Sequence, residues 1–358
     1  MNHAVRLAAA RAAMAAAEVD AMIVSGLVNI RYLTGFTGSN ALVVIGGHTS
    51  TLLTDFRYQT ASEPLRAWVD VELAERDVIR TAAERLAELS GGAGRVGFEP
   101  AQLTVERHQI LAGAHSGLVP VAGLVEGLRV IEDADELDAV RAAAALIEPV
   151  FAQIAADGLV GRRETEVAWQ VRERFHAGGA DGLSFETIVA SHERAAQPHA
   201  HPTSELIGPD TLVTVDLGCM LDGYASDCTR TFATGTPPAE LTSAYAVCLE
   251  AQLAAMDTVR AGVPAADVDA AARAVIEAAG HGDRFGHPVG HGVGLDIHEA
   301  PRLSGGSSAT LEPGMVVTVE PGIYLPGLGG VRIEDLVIVT ATGGERLTMY
   351  PKDLTVLG

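Results

Sequence analysis

A change of rhythm near residue 130 constrains this chain more than any other feature of its sequence. Ahead of it, short apolar runs at 21–25, 41–45, 51–54, 69–73, 95–98 and 118–121 alternate with helix-like segments such as 77–89 and 105–112. That alternation predicts an α/β layer domain over residues 1–130. Residues 1–17 are Ala-rich, carry Arg6 and Arg11, and run into Glu18 and Asp20 without a clear cleavage site. They read as the first amphipathic helix rather than a leader. A charged stretch at 126–136, with a helix start near Asp133, marks the boundary. Beyond it, over 131–358, helical patterns at 135–156 and 164–177 precede strand-like segments at 187–190, 212–217 and 224–233. The order then recurs, with helices at 239–261 and 264–279 and strands at 315–320 and 331–340. Gly178-Gly179 stops one helix and Pro264 opens another. Two helix–helix–strand blocks of similar length predict an α+β domain with an internal repeat, in which a site between the halves draws groups from both.

Composition sets the outer limits. At 358 residues the chain exceeds what one core usually serves, and its 48% apolar content is ample for packed cores. The formal net charge is −21, which repels nucleic acid and anionic membranes and leaves no nucleic-acid or membrane partner expected. Its plain reading is solubility, with part of it carboxylates gathered around cations. Cys219, Cys228 and Cys248 are too few for a disulfide framework or a cysteine metal site, and the expected compartment is the cytoplasm. No stretch approaches the roughly 20 apolar residues expected of a membrane helix.

Four segments carry chemistry. In VTVDLGCMLDGYASDCTRTF, Asp216 ends an apolar run, Asp222-Gly223 signals a turn, and Asp227 sits early on the returning strand. A hairpin there brings the two carboxylates together, which requires a proton or a cation between them. In GHPVGHGVGLDIHE, His287, His291 and His298 stand among glycines. Pro288 and the glycines argue against the helical zinc pair that the His287/His291 spacing imitates, and they let backbone approach a ligand closely. Glu320 closes an apolar strand, and Glu334 lies inside one with hydrophobic neighbours. A carboxylate there is costly unless it is paired, with Arg332 or Arg346 as candidate partners, or bound to metal. Four carboxylates and one imidazole suit manganese or cobalt, with zinc as an alternative, and four negative charges balance two divalent cations. Two such ions about 3.5–4 Å apart acidify a water toward a pKa of about 7 and polarise a carbonyl, which is metal-assisted hydrolysis.

These motifs resemble the pita-bread metallopeptidases: prolidase, aminopeptidase P, methionine aminopeptidase and the related creatinase. The order Asp, Asp, His, Glu, Glu matches, with spacings of eleven from Asp216 to Asp227, twenty-nine from His291 to Glu320 and fourteen from Glu320 to Glu334. The resemblance covers nearly the whole chain. DAMIVSGLVNIRYLTGFTGSN and LLTDFRY look like the creatinase-type N-terminal domain, which points to the proline-directed members. The resemblance implies a pita-bread fold with a pseudo-twofold repeat over 131–358, an exopeptidase cleaving Xaa-Pro bonds of peptides or dipeptides, and two divalent ions, Mn2+ before Co2+ or Zn2+. By resemblance Asp216 chelates one ion, Asp227 and Glu334 bridge both, and His291 and Glu320 hold the other. Glu320 also moves the proton of the bridging water. His199 and His298 contact substrate and stabilise the tetrahedral intermediate, His287 shapes the pocket, and Arg302 stands at the place where an arginine reads the substrate carboxylate in some prolidases. A homodimer is implied, one N-terminal domain bordering the other subunit's site. Arg194 stands where the family commonly has Asn, and Pro288 where Gly is usual; both bear on substrate choice and leave the ligand set intact. The competing readings are a related hydrolase of a small non-peptide amide and a non-catalytic pita-bread binding protein. Creatinase itself works without metal and lacks this ligand set, and no Gly-x-Ser-x-Gly supports a serine hydrolase.

Overall fold

The structure, a computed structural model, describes every residue except residue 76. The chain divides into two compact units, Met1–Arg129 and Val130–Gly358.

In the first unit six strands form one sheet, in the order Asp70–Ala74, Ser50–Asp55, Ala41–Ile45, Ala21–Val24, Val96–Phe98, Leu118–Pro120. Ala41–Ile45 runs antiparallel to both neighbours and the other pairings are parallel. The central strands are apolar without interruption because both faces are covered. The helix Val78–Leu89 turns Val78, Ile79, Ala82, Leu86 and Leu89 onto Ala21, Ile23, Leu42, Val44 and Leu53. Asp77 caps that helix by accepting the N–H groups of Ile79 and Arg80. The first helix, His3–Ala16, buries Leu7, Ala10 and Met14 along one stripe.

The second unit is built twice on one plan. Helices Ile147–Asp157 and Glu164–Ala177 pack Phe151, Val167, Val171 and Phe175 against Val189, Val213, Val215 and Phe232. Those last residues belong to an antiparallel sheet of Cys228–Thr234, Thr211–Leu217 and Ile188–Ser191. Helices Ala239–Thr258 and Ala265–Ala278 then pack Leu241, Cys248, Val268 and Ala272 against Leu303, Val317, Val319 and Val337. Their sheet has the order Glu299–Leu303, Gly290–Gly292, Val316–Val319, Asp335–Val339, Gly344–Arg346. Gly322–Leu325 and Gly329–Arg332 form a separate ribbon. The predicted repeat is thus a pseudo-twofold one, with a helix pair and a sheet in each half.

Three expected elements are interrupted, each for a physical reason. The helix expected over 135–156 is two helices, Ala134–Ala145 and Ile147–Asp157, because Pro149 has no N–H for the carbonyl of Ala145. The stretch Ala134–Asp157 is also long and apolar enough, by length and composition alone, to cross a membrane, contrary to expectation. Its Val140, Ala143, Ile147, Val150, Phe151 and Ile154 are spent on the protein interior. The strand expected over 224–233 breaks at Ser226-Asp227: Tyr224–Ala225 pairs with Cys219–Leu221, and Cys228–Thr234 with Thr211–Leu217. The strand expected over 331–340 breaks at Ile333-Glu334, where the chain leaves the ribbon and enters the five-stranded sheet.

Candidate metal centre

The breaks place the chemistry. Asp216 is the penultimate residue of Thr211–Leu217, in register with Thr229. Asp222 and Gly223, at φ of 49° and 79°, make the turn beyond it, as their types anticipate. Asp227 stands just before Cys228–Thr234, Glu320 between Val316–Val319 and Gly322–Leu325, and Glu334 between two sheets rather than inside one strand. His291 sits mid-strand in Gly290–Gly292. A Cβ on Gly290 would collide with the carbonyl of Thr318, and one on Gly292 with that of Ala300. The flanking glycines are what allow this histidine strand to enter the middle of its sheet.

One ligand-capable atom from each of Asp227, His291 and Glu334 lies within 4.8 Å of the other two. His291 Nε2 is 3.3 Å from Glu320 Oε1 and 3.7 Å from Asp227 Oδ2. Its Nδ1–H donates to the carbonyl of Gly292 at 3.0 Å, which aims Nε2 at the carboxylates. Asp216 Oδ2 accepts from Arg332 Nη2 at 2.7 Å, and Glu334 Oε2 from Thr229 Oγ1 at 2.7 Å. Arg332, 3% exposed, also donates to the Pro198 carbonyl, Tyr324 Oη and Thr229 Oγ1. The expected alternatives for Glu334 therefore resolve against an ion pair: Arg332 turns to Asp216, and Arg346 lies 3.9 Å from Asp335.

Burial, then the charges of Glu334, Asp216 and Glu320, hold the Asp227 carboxyl well above its ordinary range. Burial, then Glu320 and Asp216, does the same to Glu334. Burial also pushes Glu320 up, but the hydrogen bond and charge of His291 more than offset it and leave the carboxyl lowered. Burial disfavours the His291 cation, yet Glu320 outweighs it and raises the imidazole. Asp216 Oδ1 and Glu334 Oε1 are buried with no hydrogen-bond partner among the described residues. Anionic oxygens in that state are costly, and divalent cations are what such a set of hard oxygens and one imidazole accommodates. The residues present fit the metal.

Asp216, Asp227, His291, Glu320 and Glu334 line one cavity of about 680 Å3, together with His199, His287, His298 and Arg302. His298 packs on His291 with ring centroids 4.3 Å apart, and burial, then the His291 charge, lowers its pKa. His287 donates from Nδ1 to the Pro288 carbonyl and accepts from Tyr324 Oη, each at 2.8 Å, and burial lowers its pKa. His199 and Arg302 reach the cavity as exposed residues, and Phe185, Ile188, Pro198 and Ile297 give it an apolar wall. Pro288 lines the cavity too, whereas Arg194 turns away to the buried Glu164. Tyr324 and Thr229 are the site residues that sequence reasoning missed, and Arg332, expected as a partner of Glu334, serves Asp216 instead.

Four carboxylates and an imidazole gathered at the seam of a doubled α+β domain define a pita-bread hydrolase. The sequence matches the metallopeptidase family M24 over residues 138–341 and the Creatinase/Prolidase N-terminal domain over 6–131. It is 40% identical to the uncharacterized peptidase YqhT of Bacillus subtilis (strain 168), over 95% of this chain and 96% of that one. It is 33% identical to the Xaa-Pro dipeptidase of Pyrococcus furiosus, over 94% and 95%. The solved structure of an Xaa-Pro dipeptidase from Bacillus anthracis superposes with a TM-score of 0.96 at 38% identity, covering 99% of this chain and 100% of that one. The chain belongs to metallopeptidase family M24, with a creatinase/prolidase N-terminal domain ahead of the peptidase domain. It is a metallo-exopeptidase.

Proposed function

We propose that this enzyme is an Xaa-Pro dipeptidase working with two divalent cations, manganese before cobalt or zinc. One observation carries the reading: five ligand-type side chains converge on a single cavity while two of their buried carboxylate oxygens have no hydrogen-bond partner among the described residues. Asp216 would chelate one ion, Asp227 and Glu334 would bridge, and His291 and Glu320 would hold the other. A bound pair of this kind supplies Lewis-acid polarisation of the scissile carbonyl and an acidified water. The chain's own residues do the rest. Glu320 Oε1, held by Thr318 Oγ1 at 3.2 Å, is placed to take a proton and return it to the departing proline nitrogen. His199 and His298 contact substrate around the tetrahedral carbon, His287 shapes the pocket, and Arg302 meets a terminal carboxylate. The proline ring suits the apolar wall of Phe185, Ile188, Pro198 and Ile297. Its tertiary amide lacks the N–H on which strand-like peptide docking depends.

The reading extends to a cytoplasmic homodimer with an N-terminal domain over 1–130 and a catalytic domain over 131–358. The two named Xaa-Pro dipeptidases support the dipeptidase assignment, at coverage close to complete on both sides. The test is hydrolysis of Ala-Pro beside Ala-Pro-Ala by chelated protein before and after manganese addition. Manganese-dependent cleavage of the dipeptide alone is expected. Cleavage of the tripeptide would move the assignment to an aminopeptidase, and failure on both with metal bound would overturn it.

A further inference from the structure

Each half of the catalytic unit carries a buried carboxylate that the metal cluster does not use. Glu164, 0% exposed, opens the helix Glu164–Ala177. Its Oε1 accepts from Ser191 N and Oγ at 2.8 and 2.9 Å, and its Oε2 from Thr203 N and Oγ1 at 3.0 and 2.9 Å. Arg194 Nε donates to the same Oε2 at 3.2 Å, and Arg194 Nη2 donates to the carbonyl of His201. Ser191 and Thr203 are the two ends of the segment that carries His199 into the cavity. That segment starts in strain, since His192 holds a left-handed φ of 53°, and such a backbone persists only when its surroundings hold it.

The second half repeats the device. Asp269, 1% exposed, lies on the helix Ala265–Ala278. Its Oδ1 accepts from Val289 N at 2.9 Å, and its Oδ2 from Arg273 Nε at 2.6 Å. Arg273 donates onward to the carbonyls of Phe285 and His287. In both halves the second helix supplies a carboxylate for a loop N–H, and an arginine bound to that carboxylate holds the loop's carbonyls.

We propose that Glu164–Arg194 and Asp269–Arg273 are paired splints that set the two histidine segments on either side of the cavity, making Arg194 and Arg273 positioning residues for the reaction. This rests on the reading of His199 as a substrate contact. Small misplacements of such a group lower turnover steeply. Arg194, partly exposed, can be changed without opening a core. With Ala-Pro and manganese, Arg194→Ala is expected to lower kcat/KM about tenfold at unchanged bound metal. Arg194→Lys, which keeps the charge toward Glu164 but not the fork to His201, should recover part of that loss. In a His199→Ala background the Arg194→Ala effect should shrink below about twofold, while the loss caused by Arg273→Ala should persist. An equal loss from Arg194→Ala in both backgrounds, or none in the native one, overturns the proposal. Full activity of His199→Ala itself would instead sink the role assigned to His199, and the proposal with it.

Discussion

Glu334 and Asp227 are held well above the ordinary carboxylate range by burial first and then by the neighbouring carboxylates, Glu320 and Asp216 among them. A carboxyl whose folded pKa is raised leaves stability intact below its unfolded value, near pH 4, and costs stability as pH rises toward the folded value. In chelated protein at pH 7.5, Glu334→Gln should therefore melt higher than the native chain. The gap should narrow as the pH falls toward 4, and manganese-dependent activity should be lost in the variant. Calorimetry at the two pH values checks it, and a lower melting temperature at pH 7.5 would contradict the electrostatics. Arg332 is the converse case, a buried cation with a buried partner. Arg332→Met strips Asp216 of the hydrogen bond that Arg332 donates to it and should cost about 3–5 kcal/mol, read from denaturant midpoints. Glu334 was legible as a costly carboxylate from its apolar neighbours. That Arg332 serves Asp216 was not, because those two residues lie 116 positions apart and meet only across two strands.

At the scale of elements, three of the five clustered groups stand where the chain passes between ladders. Asp227 lies between Tyr224–Ala225 and Cys228–Thr234, Glu320 between Val316–Val319 and Gly322–Leu325, and Glu334 between Gly329–Arg332 and Asp335–Val339. The N–H of Glu334 is released from its own ladder and donates to the carbonyl of Thr229 in the opposite half. Apolar patterning continues through each break, so such passages read as single strands: periodicity records burial, and burial does not change when the partner strand does. Gly290 tests how far sheet geometry sets the centre. Gly290→Ala drives a methyl at the Thr318 carbonyl, displacing His291. We expect loss of bound metal and a fall of about 100-fold or more in kcat/KM. Metal analysis beside a rate assay checks it, and full metal occupancy would count against the argument.

For the whole molecule, the two units answer to different terms. The first is held by a sheet and its helices, including a helix capped by Asp77. Asp77→Ala should lower the stability of that unit by about 1 kcal/mol and leave kcat unchanged. In the second, ligand binding to the native state adds stability by mass action, so manganese should slow amide exchange in peptides from 130–358 and not in those from 1–129. Exchange mass spectrometry with and without chelator reads this directly; protection spread evenly over both units would refute it.

What this sequence determined by itself is local or periodic. The alternating runs of the first unit, the doubled helix pairs of the second, the Asp222-Gly223 turn and the types and order of the clustered residues all follow from patterning and side-chain chemistry near in the chain. The tertiary structure decided which strand each edge takes as partner, hence where the chain switches sheets and which buried oxygens go without a donor. It also decided that Arg332 binds Asp216 and that Arg194 binds Glu164 instead of facing the cavity. Those outcomes depend on long-range geometry and on the balance of desolvation against pairing, and neither has a period that a sequence can carry.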